Sequence, residues 1–312
     1  MTAQKIIDVA AAVLQRPDGT FLLAQRPIGK VYEGYWEFPG GKIEAGELSY
    51  QALCRELHEE LGITVTSAYP WLLRVFTYPH ATVRLHFFRV VAWQGELHGR
   101  ENQQLSWQQL SEISVSPILP ANAPILRALS LPDRYAISNA AALGRDEFML
   151  RLERALKNGL RLLQVREKKL AGEDLLKLAQ HVVQLSHCYD AKVLISGNEN
   201  LAQKVGADGV HYSAAQLMNC VEKPALEWCA ASCHNAHEIK RAEELGFDFA
   251  LLSPVLPTPS HLGEPHLGWE KFAELTCETQ IPIYALGGLT TNDLEVARQH
   301  GSHGIALLSQ AW

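Results

Sequence analysis

The sequence predicts an α/β protein of two domains, the second a (β/α)₈ barrel. Three observations carry this prediction. A helical stretch with a dense carboxylate face, Glu56, Glu59 and Glu60, lies among strand-like runs that end near residue 130. Leu131-Pro132-Asp133 then punctuates the chain, and eight short strand-like runs alternate with helical segments after it. Finally, 312 residues at 47% hydrophobic and 20% charged content suffice for two buried cores. The domains are expected at residues 1–130 and 131–312.

Composition narrows the function. No run approaches the ~18 apolar residues of a membrane span, and the N-terminal MTAQKIIDVAAAVL carries an acid and passes straight into a strand pattern. The expected address is cytoplasmic, away from membranes. Six cysteines are scattered, with no CxxC and no zinc spacing, so reduced thiols are expected. A net charge of −6 without a basic stripe gives no polynucleotide surface.

In chain order, residues 6–14 read as a strand. Pro17-Asp18-Gly19 is a turn leading to Phe21-Leu22-Leu23, so the opening reads as a hairpin. Gly40 and Gly41 permit close approach of backbone to a phosphate or metal. The stretch GKIEAGELSYQALCRELHEELGI, residues 41–63, follows as a loop and a helix. Its Glu56, Glu59 and Glu60 stand at i, i+3 and i+4 and share one face, where they repel by roughly 0.2–0.5 kcal/mol per pair. A divalent cation reverses that sign, and oxygen ligands suit Mg²⁺ or Mn²⁺. Leu53, Leu57 and Leu61 make the opposite face apolar. Strands are expected at 71–78 and 83–93, and a loop with a short helix at 117–129. Taken alone, Asn122 is a helix N-cap, Arg26 a surface ion-pair partner and Glu101 a polar loop residue.

Gly41, Glu47, Arg55, Glu56, Leu57, Glu59, Glu60, Gly62 and Ile63 fit the Nudix box, and with WEFPGGKIEAGE and Leu119–Pro124 the first domain resembles MutT-type Nudix hydrolases. The resemblance implies an α/β/α sandwich and metal-dependent hydrolysis of 8-oxo-dGTP to 8-oxo-dGMP and pyrophosphate, in support of replication fidelity and DNA repair. It implies metal ligation by Glu56, Glu59, Glu60 and the Gly40 carbonyl. Glu101 becomes a further ligand or general base. Nucleotide contacts fall to Arg26, Glu37 and Phe38, with Asn122 reading the oxidised purine. Arg55 orients a glutamate, and Glu47 supports the loop–helix geometry. The family can place an arginine over the nucleotide where this chain has Ala81.

In the second half, strands are expected at 135–138, 160–166, 192–196, 209–212, 228–233, 249–254, 283–287 and 304–309. About 180 residues is short for a barrel and Trp312 leaves little room for a last helix, so an open doubly wound sheet is the alternative. Gln164-Val165-Arg166-Glu167-Lys168, Ala207–His211, Ser253–Thr258 and Gly287-Gly288-Leu289 resemble the thiamine phosphate synthase and TenI superfamily. The resemblance implies binding of a phosphorylated thiazole by Gln164, Arg166, Lys168, Gly287 and Gly288. His234 falls where TenI-like tautomerases carry an acid/base. The synthase's two acidic Mg²⁺ ligands align with Gly197 and Gln216, and its phosphate-turn lysine with His261, so an active synthase is not expected.

The expected protein is thus a nucleotide-pool hydrolase fused to a phosphate- or thiazole-binding barrel. Its alternatives are hydrolysis of another nucleoside diphosphate derivative or a thiamine diphosphate analogue, with the barrel a tautomerase or a binding or dimerisation module. The oligomeric state stays open.

Overall fold

The computed structural model describes residues 6–258 and 265–312. The chain forms two compact units, residues 1–130 and 131–312.

In the first unit, strand β1 (Ile6–Leu14) runs between β4 (Gly40–Lys42) and β6 (Thr82–Gln94), and β6 pairs in turn with β5 (Thr64–Thr77). A second sheet joins β2 (Phe21–Gln25) to β3 (Trp36–Glu37) and β7 (Leu105–Gln108). Period-two alternation sorts β1 between two cores. Ala10, Ala12 and Leu14 pack under helix α1 (Ser49–Leu61), against its Leu53, Leu57 and Leu61. Ala11 and Val13 face the other way, toward Trp71, Phe87 and helix α2 (Ala123–Leu129). The result is an α/β/α sandwich. Each of the three α1 leucines is fully buried, worth about 1.5–3 kcal/mol apiece.

The expected opening hairpin is corrected. Its turn forms, with Arg16 N donating to Thr20 O (2.9 Å) and a single bridge from Gln15 to Phe21. The strands then part into different sheets because β4 and β6 fill both edges of β1, leaving none for β2. Strand β5 also starts earlier than expected, at Thr64. Register shifts on both sides of Pro70 carry the ladder past the missing N–H.

The second unit is a closed, all-parallel barrel of β8 (Arg134–Ile137), β9 (Leu162–Val165), β10 (Lys192–Ser196), β11 (Gly209–Tyr212), β12 (Trp228–Cys233), β13 (Phe249–Leu252), β14 (Ile283–Leu286) and β15 (Gly304–Leu307). Closure is direct, with Ile305, Ala306 and Leu307 of β15 paired to Arg134, Tyr135 and Ala136 of β8. This removes the open-sheet alternative. Tyr135, Leu162, Leu194, Trp228, Phe249 and Tyr284 fill the interior. Strands of four to six residues explain how a short chain closes a barrel. Trp312 packs edge-on against Phe148 of helix α4 (Arg145–Lys157), which follows helix α3 (Ala140–Leu143), and its indole N–H donates to Ile137 O (2.8 Å). Among the described residues no helix is long and apolar enough to cross a membrane.

Candidate active site

Local chemistry places α1. Gln51 accepts from Leu48 N (3.0 Å) at its start, and Gly62 ends it at φ +75°, with Gly62 N donating to His58 O (3.1 Å). Between these ends the carboxylates line a cleft of about 1020 Å³. Glycine is required at its floor. A Cβ on Gly41 would stand 2.1 Å from Glu56 Cδ, and one on Gly40, whose φ is +145°, would stand 2.0 Å from Ala10 O. Arg55 grips Glu47 through two hydrogen bonds of 2.9 Å, donates to Glu56 (2.8 Å) and the Lys42 carbonyl (3.0 Å), and reaches Glu59 at 3.4 Å. It thus ties the loop to the helix and fixes Glu56.

Arg26, Glu37, Phe38, Gly40, Glu56, Glu59, Glu60, Glu101 and Asn122 all line this cleft. Burial, then the charges of Glu101 and Glu56, push Glu60 up to about 7. Glu37 is raised by burial against the opposing pull of Arg26. Arg26 donates to both Glu37 oxygens (2.6 and 2.7 Å) and to Val31 O (2.7 Å). The ion-pair reading of Arg26 therefore describes its present contacts. Glu101 pairs with Lys30 at 2.8 Å, an interaction the sequence did not suggest.

Asn122 stands at the N-cap position of α2 but its side chain caps nothing. It is 4% exposed, and its Nδ2 is buried without a hydrogen-bond partner. A buried amide left unpaired costs about 1–3 kcal/mol, and this one lies in the lining of the cleft.

Among the described residues no three His, Cys, Asp or Glu side chains meet at one coordination point. The donor set nonetheless fits a hard cation. It consists of the carboxylates of Glu56, Glu59, Glu60 and Glu101, whose proximity adds to burial in raising Glu60, with Gly40 beside them.

At the barrel, the predicted residues sit at the C-terminal ends of strands. Arg166 and Lys168 follow β9 and are exposed, whereas Gln164 is buried in that strand. Glu167, not singled out before, is buried and accepts from Ser138 Oγ (2.6 Å), Ala140 N (2.8 Å) and Ala141 N (3.0 Å), locking β9 to the start of α3. His234 follows β12 and its Nδ1 donates to Ser253 O (2.8 Å), leaving Nε2 as the basic nitrogen. Gly287 and Gly288 hold φ +107° and +70°. Cβ atoms there would meet Pro254 (2.8 Å) and Pro257 O (2.4 Å), so both serve the close approach of two loops. Gly197, at φ +60°, and Gln216 touch directly, Gln216 Nε2 donating to Gly197 O (2.8 Å). His261 lies outside the described residues.

A glycine-floored cleft ringed by carboxylates on an α/β/α sandwich suits hydrolysis of a phosphoanhydride with a divalent cation. Comparison with known proteins agrees. A model described as NUDIX domain matches residues 5–129, and one described as thiamine monophosphate synthase matches residues 134–311. The 8-oxo-dGTP diphosphatase of Haemophilus influenzae is 39% identical over 40% of this chain and 93% of its own length. The CTP pyrophosphohydrolase of Escherichia coli is 41% identical over 40% of this chain and 91% of its own. A protein of Aquifex aeolicus, provisionally named thiamine-phosphate synthase 2, is 37% identical over 58% of this chain and 98% of its own. The chain belongs to the Nudix hydrolase family through its first unit and to the thiamine monophosphate synthase and TenI family through its second. It is a hydrolase of phosphoanhydrides, in a family that depends on divalent metal.

Proposed function

We propose that the first unit converts 8-oxo-dGTP to 8-oxo-dGMP and pyrophosphate with Mg²⁺, with Mn²⁺ as a substitute, and so protects replicating DNA in the cytoplasm. The buried, unpartnered Asn122 amide in the carboxylate-lined cleft supports this reading best. In 8-oxoguanine N7 carries a hydrogen where guanine has a lone pair. Asn122 can donate Nδ2–H to purine O6 and accept N7–H at Oδ1, a pair that guanine does not complete.

Glu56, Glu59, Glu60, the Gly40 carbonyl and Glu101 would hold the cation, which when bound neutralises phosphate charge and acidifies water. The chain's own groups do the rest. Arg55 orients Glu56 through one hydrogen bond and anchors Glu47 through two others. Lys30 holds Glu101 at the rim, where it serves as ligand or general base.

For the barrel we infer binding of a small phosphorylated ligand such as a thiazole phosphate, with Arg166 and Lys168 as charge partners, and no synthase activity. At Gly197 and Gln216, which the resemblance aligns with the synthase's two acidic ligands, an amide donates to a backbone carbonyl and neither position carries a carboxylate, which supports this reading.

The test is pyrophosphate release by the full-length protein with Mg²⁺ on 8-oxo-dGTP, dGTP, CTP and a thiamine diphosphate analogue. Preference for 8-oxo-dGTP is expected. Glu56→Gln should lower the rate at least about 100-fold. Asn122→Ala should cut the preference over dGTP about 10–100-fold while hydrolysis survives. A preference for CTP or the thiamine analogue would replace the substrate assignment.

A further inference from the structure

The lip of the hydrolase cleft carries an aromatic cluster that the carboxylate chemistry does not use. Tyr32, Tyr78 and His80 line the same cleft as Asn122 and Glu37. Tyr78 stacks on His80 at 5.6 Å with 29° between planes. Tyr32 lies 5.3 Å from Tyr78 and 5.9 Å from His80. These spacings are those of offset and tilted aromatic pairs. Tyr78 is buried and its phenol is pushed up to about 12 by burial, so it anchors the group. Tyr32 is only half-buried and His80 is exposed, so both keep ring surface outside the core.

The backbone is bent to present them. Tyr32 holds φ +61°, a left-handed conformation that bulky residues rarely adopt. Residues around it are pinned by Arg26, whose Nε donates to Val31 O (2.7 Å) and whose carbonyl accepts from Gly34 N (3.0 Å), while Glu37 fixes its guanidinium. On the other side, Tyr78 N donates to Ala81 O (2.8 Å), closing the turn that carries His80 over Tyr78. Arg26 thus holds the lip in place through these contacts.

We propose that Tyr32 and His80, braced by Tyr78, form the platform on which the substrate's nucleobase stacks, with Asn122 reading the base edge beside it. The assignment rests on the nucleotide reading of this cleft. It also makes part of the affinity indifferent to base identity, since every base has a π-face.

The experiment is calorimetric binding of 8-oxo-dGMP, dGMP and CMP to the full-length wild-type protein and to Tyr32→Ala, Tyr32→Phe and His80→Ala, with thermal unfolding of each. The expected result is Kd raised about tenfold by Tyr32→Ala and by His80→Ala, restoration by Tyr32→Phe, and a Tm for His80→Ala within ~2 °C of wild type. Unchanged Kd in both alanine variants would overturn the platform. So would a loss in Tyr32→Phe equal to that in Tyr32→Ala. Should CMP or dGMP bind tighter than 8-oxo-dGMP, the oxidised-purine reading fails, and the platform is judged on the tightest of the three.

Discussion

Glu60 shows how one residue can carry an energetic cost that its sequence neighbours alone do not explain. Its helix position sets it near Glu56, but burial and the remote Glu101 raise it from 4.5 to about 7. Without metal, the folded state keeps between those values a proton that the unfolded chain has released. Stability therefore falls as pH rises through that window and stays low above it. After allowance for solvent screening the loss is about 1–2 kcal/mol. In chelator, the hydrolase unit's unfolding temperature should be a few degrees lower at pH 8 than at pH 5, and Glu60→Gln should remove much of that drop. A divalent cation added at pH 8 should restore it. Equal pH dependence in wild type and Glu60→Gln would show that Glu60 does not carry the effect. Asn122 is a second such case, since only burial turns an ordinary N-cap residue into an unpaired amide.

At the scale of elements, the loop after β10 meets the helix that follows β11 where Gly197 touches Gln216. A Cβ on Gly197 would stand 2.5 Å from Gln216 Oε1, and the position holds φ +60°. Gly197→Asp alone should therefore cost about 1–2 kcal/mol and give no cation response. Combined with Gln216→Asp, which shortens the opposing side chain, it should confer a Tm rise on adding Mg²⁺ that wild type lacks. The wild-type protein should form no thiamine phosphate in a synthase assay. Product formation by the unaltered chain would show that the Gly197–Gln216 contact does not disable the barrel.

For the whole molecule, every residue of the hydrolase cleft belongs to residues 1–130, which carry their own cores on both faces of the sheet. The barrel is likewise closed on itself, with Trp312 packed at the end of β8. Residues 1–130 produced alone should keep kcat/KM for the preferred nucleotide within about twofold of the full chain. A loss beyond tenfold would mean that the barrel contributes to nucleotide hydrolysis.

The sequence by itself determined what repeats locally. The carboxylate face of α1 follows from helical period, the glycines from the box, and the parallel α/β order of the second half from regular alternation of strand and helix, because these signals span only a few residues each. Barrel closure, the parting of β1 from β2 and the β5 register needed the tertiary structure, since edge availability depends on strands remote in sequence. Tertiary structure also decided that Arg26 serves Glu37 and Val31, that Lys30 holds Glu101, and that Tyr32 meets Tyr78 and His80. No spacing rule announces these contacts. They exist because two loops from different sheets are packed against one cleft, where burial and distance, not sequence order, set proton affinity and hydrogen-bond partners.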